Sequence, residues 1–563
     1  MYQPLFGGVF FYLSGKKNTV KKIKRYLLER DRIWILGLLL FTCMLYLPFL
    51  NSPLFFDDFN LFDDKFLSHY VGADAHFGLR WLPNISIVWT YLLVDNEFTH
   101  LYRLASLLLH AGSVIALFFL IRMLLSYTMK EKLPASAAHW AAWLGALLFA
   151  AHPVAVYATG YIAQRSILMA TLFSLLMQLA YIRGLMSGKH IWLVLTVIAY
   201  ALAVFSKEHS VLAPALLAAE TILLRTDIRA GNRALFFTWL GLIVVGINTI
   251  LMAKGVIGTP YEADSASMFA SQQLDVSRPV LHLLSVLTQA GLFFKYFLLM
   301  VLPNPAWMSI DMREMFITSL GVWQGWLGLL AFFATGAVAI RLLFIPRMAG
   351  LLGLAMFYVW GQFLLEFSSI RIQEIFVIYR SYLWLPGIIL GYAIIYARWP
   401  NRKTLVLALL LVVVMMSVSY NRLWVMSDNY RLWKDAAMLL QTGKEPLASR
   451  IYYNLANAEA KNGRWPEAVK HYELTISLWK TESAVLRHDL GAAYFNVGRY
   501  EDALTQFDKS LALDPDYAKA YFDQALTLKY LHQEKRALEQ MQKSCDLKYS
   551  IACMLVKMSG TKK

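Results

Sequence analysis

Apolar residues dominate positions 33 to 50, and similar runs recur at 101–125, 138–156, 166–183, 191–206, 209–225, 234–252, 316–344, 348–366, 381–398 and 404–421. A helix needs about 20 such residues to cross the bilayer core, so each run is a candidate crossing. Alternate links are basic: Lys130 and Lys132; Arg183 and Lys189; Arg225, Arg229 and Arg233; Arg341 and Arg347; Arg398, Arg402 and Lys403. Ahead of the first run lie Lys16, Lys17, Lys21, Lys22, Lys24, Arg25, Arg30 and Arg32. Positive charge stays on the cytoplasmic side, so residues 1–32 are expected in the cytoplasm and the loop after residue 50 on the far face. One more apolar run, 281–302, holds His282, Gln289 and Lys295. If it crossed, the later basic links would all face outward. It is therefore expected to lie along the outer interface, or to dip in and return. About eleven crossings result, which leaves the C-terminal region outside.

The pattern changes after residue 421. Gly463-Arg464-Trp465-Pro466-Glu467-Ala468 recurs as Gly498-Arg499-Tyr500-Glu501-Asp502-Ala503, and Ala537 continues the series. With Leu490-Gly491-Ala492-Ala493-Tyr494, Phe507 and Pro515, a period near 34 residues marks tetratricopeptide repeats at about 449–482, 484–517 and 518–551. Such helix pairs stack into a solenoid whose concave face binds peptides. The chain thus divides into a basic segment 1–32, a membrane domain 33–421, a linker helix 422–448 and a repeat domain 449–563. The fold class is all-α.

Composition agrees. Of 563 residues, 58% are hydrophobic and 16% charged, and a soluble chain does not carry that much apolar surface. The net charge of +16 lies largely between spans, which suits membrane topology and contact with anionic lipid. No basic segment is interleaved with stacking aromatics outside the membrane region, so nucleic acid is not an expected partner. Cys43 falls within the first run. Cys545 and Cys553 are eight apart, about 12 Å along one helix, too far for a bridge. Two antiparallel helices joined by a turn over 546–550 would bring them together, and a disulfide is expected if this end lies in an oxidising compartment.

The candidate chemistry gathers on the far face. Asp57 and Asp58 follow the first run; alone they suit a helix cap or a solvated loop. Other polar clusters share that side: His152; Arg165; Lys207, Glu208 and His209; Glu366 to Glu374 with Arg371; and Tyr379-Arg380. Ionisable groups at membrane depth are costly, so they are functional or mutually paired. A carboxylate to deprotonate a hydroxyl, cations to hold a leaving phosphate and an apolar groove would together serve transfer from a lipid phosphate. Asp57 or Asp58 is the expected base, with Asp58 favoured and Asp57 supporting it. Arg165, Lys207, Arg371 and Arg380 are the expected phosphate ligands. His152 or His209 would orient an acid or bind phosphate, with Glu208 and Tyr379 beside them. No Walker loop, dinucleotide glycine pattern, zinc spacing or nucleophile elbow is present, and no metal site is read.

In order, these pieces resemble the GT-C superfamily of polyprenyl-phosphate-sugar glycosyltransferases. They look most like the transmembrane and tetratricopeptide repeat-containing O-mannosyltransferases. The resemblance rests on Phe56-Asp57-Asp58, Arg80-Trp81-Leu82-Pro83, His100 through His110, His152-Pro153, Arg165-Ser166, Lys207-Glu208, the run from Tyr296 to Asp311, and Tyr379-Arg380-Ser381-Tyr382-Leu383-Trp384-Leu385-Pro386. Arg103 departs from it, standing where that family tends to have Asn. The resemblance implies an inverting transferase in a bacterial inner membrane with periplasmic repeats. Its donor would be a polyprenyl-phosphate sugar, with no other cofactor. Its acceptor would be a Ser or Thr hydroxyl of an exported protein, pilins among them, captured by the repeats. The tail around Cys545 and Cys553 also resembles the cysteine-bridged helix pairs of Sel1-like repeats. Two other readings keep the spans: a transferase acting on lipid A or an envelope glycan, and a non-enzymatic scaffold recruiting partners through its repeats.

Overall fold

A computed structural model describes residues 17–71, 78–94, 98–129, 133–255, 257–259, 276–443, 445–479 and 483–560. The basic side chains expected at positions 16–30, with Lys130 and Lys132, lie outside the described residues. Among those described the chain is helical throughout, without strands.

The membrane part is built from α1 (Lys17–Tyr46), α2 (Asp64–Val71), α3 (Trp81–Val94), α4 (Thr99–Thr128), α5 (Ala135–Ala151), α6 (Pro153–Thr159), α7 (Arg165–Ser187), α8 (His190–Ser206), α9 (Pro214–Leu224), α10 (Asn232–Met252), α11 (Arg278–Val301), α12 (Trp323–Leu343), α13 (Met348–Phe363), α14 (Leu385–Arg398) and α15 (Arg402–Met426). Eight of its helices are long and apolar enough to cross a membrane, or nine if the bent pair α5 and α6 is one span. Contacts sort the helix ends into two sets. At one end Arg122 pairs with Asp31 at 2.7 Å, Arg229 N–H bonds Leu185 and Arg225 bonds Phe344. At the other lie the loop after α1, the turns after α6 and α8, and the loop between α13 and α14.

Prolines reset several expected boundaries. The run 138–156 bends by 57° at His152, because Pro153 cannot donate the helical bond and His152 caps the new helix. Pro214 and Pro386 likewise start α9 and α14 several residues late, after short 3₁₀ turns. Helix α3 was not foreseen in the sequence; it follows Arg80 and carries Pro83 in its first turn.

Helix α11 is 24 residues long, about 36 Å. By length and composition alone it could cross. Its bonds are His282 to Phe367 O at 2.7 Å, Gln289 to Ile375 O at 2.8 Å, and Met300 O to His152 at 2.9 Å. All three partners belong to the end that carries the aspartates. The helix is unbroken, so it does not dip and return within 281–302.

Helix α15 runs past residue 421 to Met426, and α16 (Asn429–Met438) follows. Three helix pairs come next: α17 (Ala448–Lys461) with α18 (Trp465–Leu478), α19 (Ala484–Asn496) with α20 (Tyr500–Leu513), and α21 (Ala518–Tyr530) with α22 (Glu534–Asp546). A last helix, α23 (Ser550–Gly560), closes the stack. The recurrent glycines Gly463 and Gly498 turn the first two pairs at φ +71° and +80°, a region other residues enter at a cost, and His532 turns the third at φ +59°. Gly491 is needed for contact: a Cβ there would sit 2.7 Å from the Phe507 ring. Ala468, Ala503 and Ala537 are buried where paired helices approach. Cys545 and Cys553 form a disulfide between antiparallel α22 and α23, with Cα atoms 4.5 Å apart.

One buried titratable group braces the stack. His488 lies 2.7 Å from Asp523 and 3.1 Å from Asp489. Burial works to lower its pKa, but the two carboxylates outweigh it and hold it above 6.5. The folded repeats therefore bind this proton more tightly than the unfolded chain. The contribution is complete below pH 6.5 and fades as pH rises through the folded value. Protection of amides over 484–530 in the full chain should fall over that interval, after correction for intrinsic exchange, and His488→Gln should remove the trend.

Candidate functional site

The first loop forms a 3₁₀ turn, Phe56–Phe62, that opens at φ +49° on Phe56. A bulky residue holds that conformation only where its surroundings impose it. Arg103, on α4, supplies much of the constraint by donating to Gly160 O, Leu50 O and Pro53 O. With three residues per turn, neighbouring side chains point about 120° apart. The two aspartates consequently have different environments. Asp58 is 0% exposed, and its carboxylate accepts from Ala163 N–H at 2.8 Å. Burial pushes it up to about 7, against the pull of that N–H and of Arg103. It ties the turn to the start of α7. Asp57 is exposed, and its backbone N–H donates to the Tyr161 hydroxyl at 3.0 Å.

Asp57 lines a polar cavity of about 310 Å³, together with Tyr161, Asp311, Glu374 and Tyr379. Arg450, from the first helix of the repeats, completes the wall. Its guanidinium bonds Asp311 at 2.9 and 3.0 Å and lies 5.5 Å above the Phe56 ring. Arg313 holds the other oxygen of Asp311. Burial favours protonating Asp311, but Arg313 and Arg450 keep it below the ordinary carboxylate range. The linker helix α16 is held by Arg422 on Asp435 at 2.9 Å and by Trp433 edge-on to Phe56.

A second cavity, about 340 Å³ and mostly apolar, lies on the other side of the 364–384 loop. Ile250, Ala253, Ile257 and Leu365 line it; Arg80, Glu208, His209 and Arg371 are its charged or titratable lining. Charged side chains fill the wall between the two cavities. Arg380 sits 3.3 Å from Glu366 and 3.6 Å from Glu374, and Arg371 3.5 Å from Glu366. Lys207 donates to Gln164 at 3.0 Å and lies 5.2 Å over the Tyr379 ring. Burial, and next the nearby Arg80, push its ammonium down to about 7. Glu208 pairs with Arg80 at 2.5 and 3.0 Å rather than with Lys207. Burial opposes that charge, yet Arg80 and His209 hold Glu208 well below the ordinary range.

The structure therefore gathers Asp57, Lys207, Glu208, His209, Arg371, Tyr379 and Arg380. Two expected members lie elsewhere. Arg165 spends its guanidinium on Ser86, Thr90 and Tyr102 O, clamping α3 and α4 to α7. It lines neither cavity, and its partners, two hydroxyls and a carbonyl, come from segments more than 60 residues away. His152 is 0% exposed; it caps α6 and bonds Met300 O, so it serves as a bracket for α11. Asp58 gives up the role of exposed carboxylate to Asp57. Arg80, Asp311 and Glu374 were on view in the quoted motifs but not selected. Arg450 gave no local signal, since only docking of the repeats brings it to the cavity.

Comparison with known proteins bears on the repeats. The tetratricopeptide repeat family matches residues 447–516. No curated protein matches the chain. Among solved structures it is similar to two crystal structures of MamA, each at 20% identity. These cover 29% and 28% of this chain and 86% and 83% of theirs, at TM-scores of 0.20 and 0.19. It is also similar to the crystal structure of the APC/C hetero-tetramer Cut9-Hcn1, at 15% identity, over 85% of this chain and 88% of that one, at a TM-score of 0.22. None of these supports the glycosyltransferase resemblance, which rests on residues alone. The family match covers the first two helix pairs, and the third follows from the fold. Tetratricopeptide repeats generally bind proteins, which is consistent with a protein partner.

Proposed function

We propose that this chain is a membrane glycosyltransferase of the GT-C kind. It moves a sugar from polyprenyl phosphate to a Ser or Thr hydroxyl of an exported protein, a pilin being one fitting acceptor. The face carrying the aspartates and repeats is the periplasmic face of a bacterial inner membrane. One observation carries the reading: an exposed carboxylate in a polar cavity stands across a wall of buried cations from an apolar cavity. Asp57 takes the proton from the acceptor hydroxyl. The freed oxygen attacks the anomeric carbon as the sugar–phosphate bond breaks, and one displacement inverts the centre. Arg371 and Arg80, which line the apolar cavity, with Lys207 and Arg380 behind them, steady the charge left on the lipid phosphate. The lipid chain lies along the apolar cavity and the exposed Ile247, Ile250 and Leu251 of α10.

Arg371→Gln should lower transfer by about 10–100-fold, the worth of a charge-assisted bond to phosphate. The loss should appear in the dependence on the lipid donor and leave acceptor binding unchanged. Equal transfer by this variant, assayed in vesicles with the lipid donor, would remove the phosphate assignment. Deletion of 440–563 distinguishes acceptors. Selective transfer to protein should vanish, whereas an enzyme acting on lipid A or an envelope glycan would keep its activity.

A further inference from the structure

A third cavity, about 560 Å³, lies between the first loop and the first repeat. Phe56 lines both this cavity and the one that holds Asp57, so the two are neighbours across a single ring. Five carboxamides line it: Asn51, Asn429, Asn454, Asn457 and Asn462. Its charged residues are Asp428 and Lys461, one of each sign. A neutral lining rich in amides suits a ligand with many hydrogen-bonding groups and no net charge, and does not suit a phosphate.

Two of these amides are pre-set. Asn454 donates its Nδ2 to Arg450 O at 2.9 Å, which leaves its Oδ1 as an acceptor. Asn457 accepts the Tyr472 hydroxyl on Oδ1 at 2.6 Å and shares its amide with the Tyr453 hydroxyl, which leaves one of its two Nδ2 hydrogens as a donor. They are three residues apart on α17, so the acceptor and the donor stand side by side on one face. An extended polypeptide offers the matching N–H and C=O from its main chain, whatever its side chains. Phe59, 60% exposed, and the Trp433 ring add apolar surface beside them.

We infer that this cavity binds an extended segment of the polypeptide acceptor and feeds it past Phe56 to Asp57. The inference rests on the proposed transfer at Asp57. It adds where the acceptor lies: against α17 and the first loop, with main-chain amides read by Asn454 and Asn457. A repeat domain placed this way supplies part of the acceptor track, and Arg450, on the same helix, reaches the reaction cavity.

The test uses the full-length protein in nanodiscs, with benzoylphenylalanine at Phe59 or, as control, at the exposed Leu538 of α22. The probe is an uncharged biotinylated Ser/Thr/Ala peptide. Light should attach biotin to the Phe59-substituted chain at least about tenfold more than to the control. Unlabelled peptide should compete and a neutral oligosaccharide should not. Asn454→Leu or Asn457→Asp should cut labelling about tenfold, as expected for the loss of one or two buried hydrogen bonds, with thermal unfolding unchanged. Equal labelling at both positions, competition by the oligosaccharide, or indifference to both Asn substitutions would overturn the assignment. Labelling in the Asp57→Asn background separates the two claims. If the peptide binds there but no Asp57-dependent glycosylation exists, the transfer reading fails and the peptide site stands. If Asp57-dependent glycosylation exists without labelling at Phe59, the peptide site fails alone.

Discussion

Asp57→Asn should lower sugar transfer by about 10²–10⁴-fold, the usual contribution of a positioned general base. The loss should fall on kcat rather than on the KM for acceptor, because the amide keeps the size and most of the polarity of the carboxylate. Insertion and docking should survive. The turn is held through the Asp57 backbone N–H on Tyr161, through Asp58 on Ala163, and through Arg103 on three carbonyls, none of which needs the Asp57 side chain. Asp58→Asn should behave differently. It removes the charge facing Arg103 inside the protein, so it should loosen the 51–62 loop and cost activity through misplacement. Hydrogen exchange over that loop separates the two effects: unchanged in Asp57→Asn, faster in Asp58→Asn. If Asp58→Asn instead lost more kcat with an undisturbed loop, Asp58 would be the base.

Asp311→Ala should release the repeats from the membrane domain. Asp311 is the shared counter-ion of Arg313 and Arg450, and its side chain is only 5% exposed. Without it, two guanidinium groups face each other in a confined site. Losing one partner of a buried ionic cluster costs about 3–5 kcal/mol, more than the remaining contacts of Trp433, Phe56 and Asp435 are expected to absorb. Limited proteolysis should then cut between α16 and α17 faster than in the wild type. Arg450→Gln should be milder, since Asp311 keeps Arg313. Because the Asp311 pKa is depressed, the contact is complete above the ordinary carboxylate value and weakens as pH falls below it. Acidification below about pH 4 should therefore mimic the substitution. Cleavage of Asp311→Ala at the wild-type rate would show that apolar contacts alone hold the repeats.

The repeats were legible because their constraint is local. A glycine that must take positive φ and alanines that must let helices approach recur at fixed spacing, and the fold uses them that way. The site was only partly legible. Asp57 and Asp58 are chemically identical neighbours, and a strained turn begun by Phe56 separates them by about a third of a rotation. Nothing in their spacing says which faces water. Arg165 and His152 read as site residues because a buried ionisable group demands a partner, but their partners are hydroxyls and carbonyls of distant segments. Arg103, noted as a departure from the resembled family, turns out to clamp the loop that presents the aspartates. Arg450 lies 392 positions after Asp58, where only tertiary docking reveals it.

The most direct measurement is mass spectrometry of periplasmic and surface proteins from cells that carry the wild type or Asp57→Asn, both expressed and inserted to the same level. The account predicts a glycan mass on Ser or Thr of at least one exported protein with the wild type, and its loss with Asp57→Asn. Identical protein glycan profiles in the two strains would contradict it.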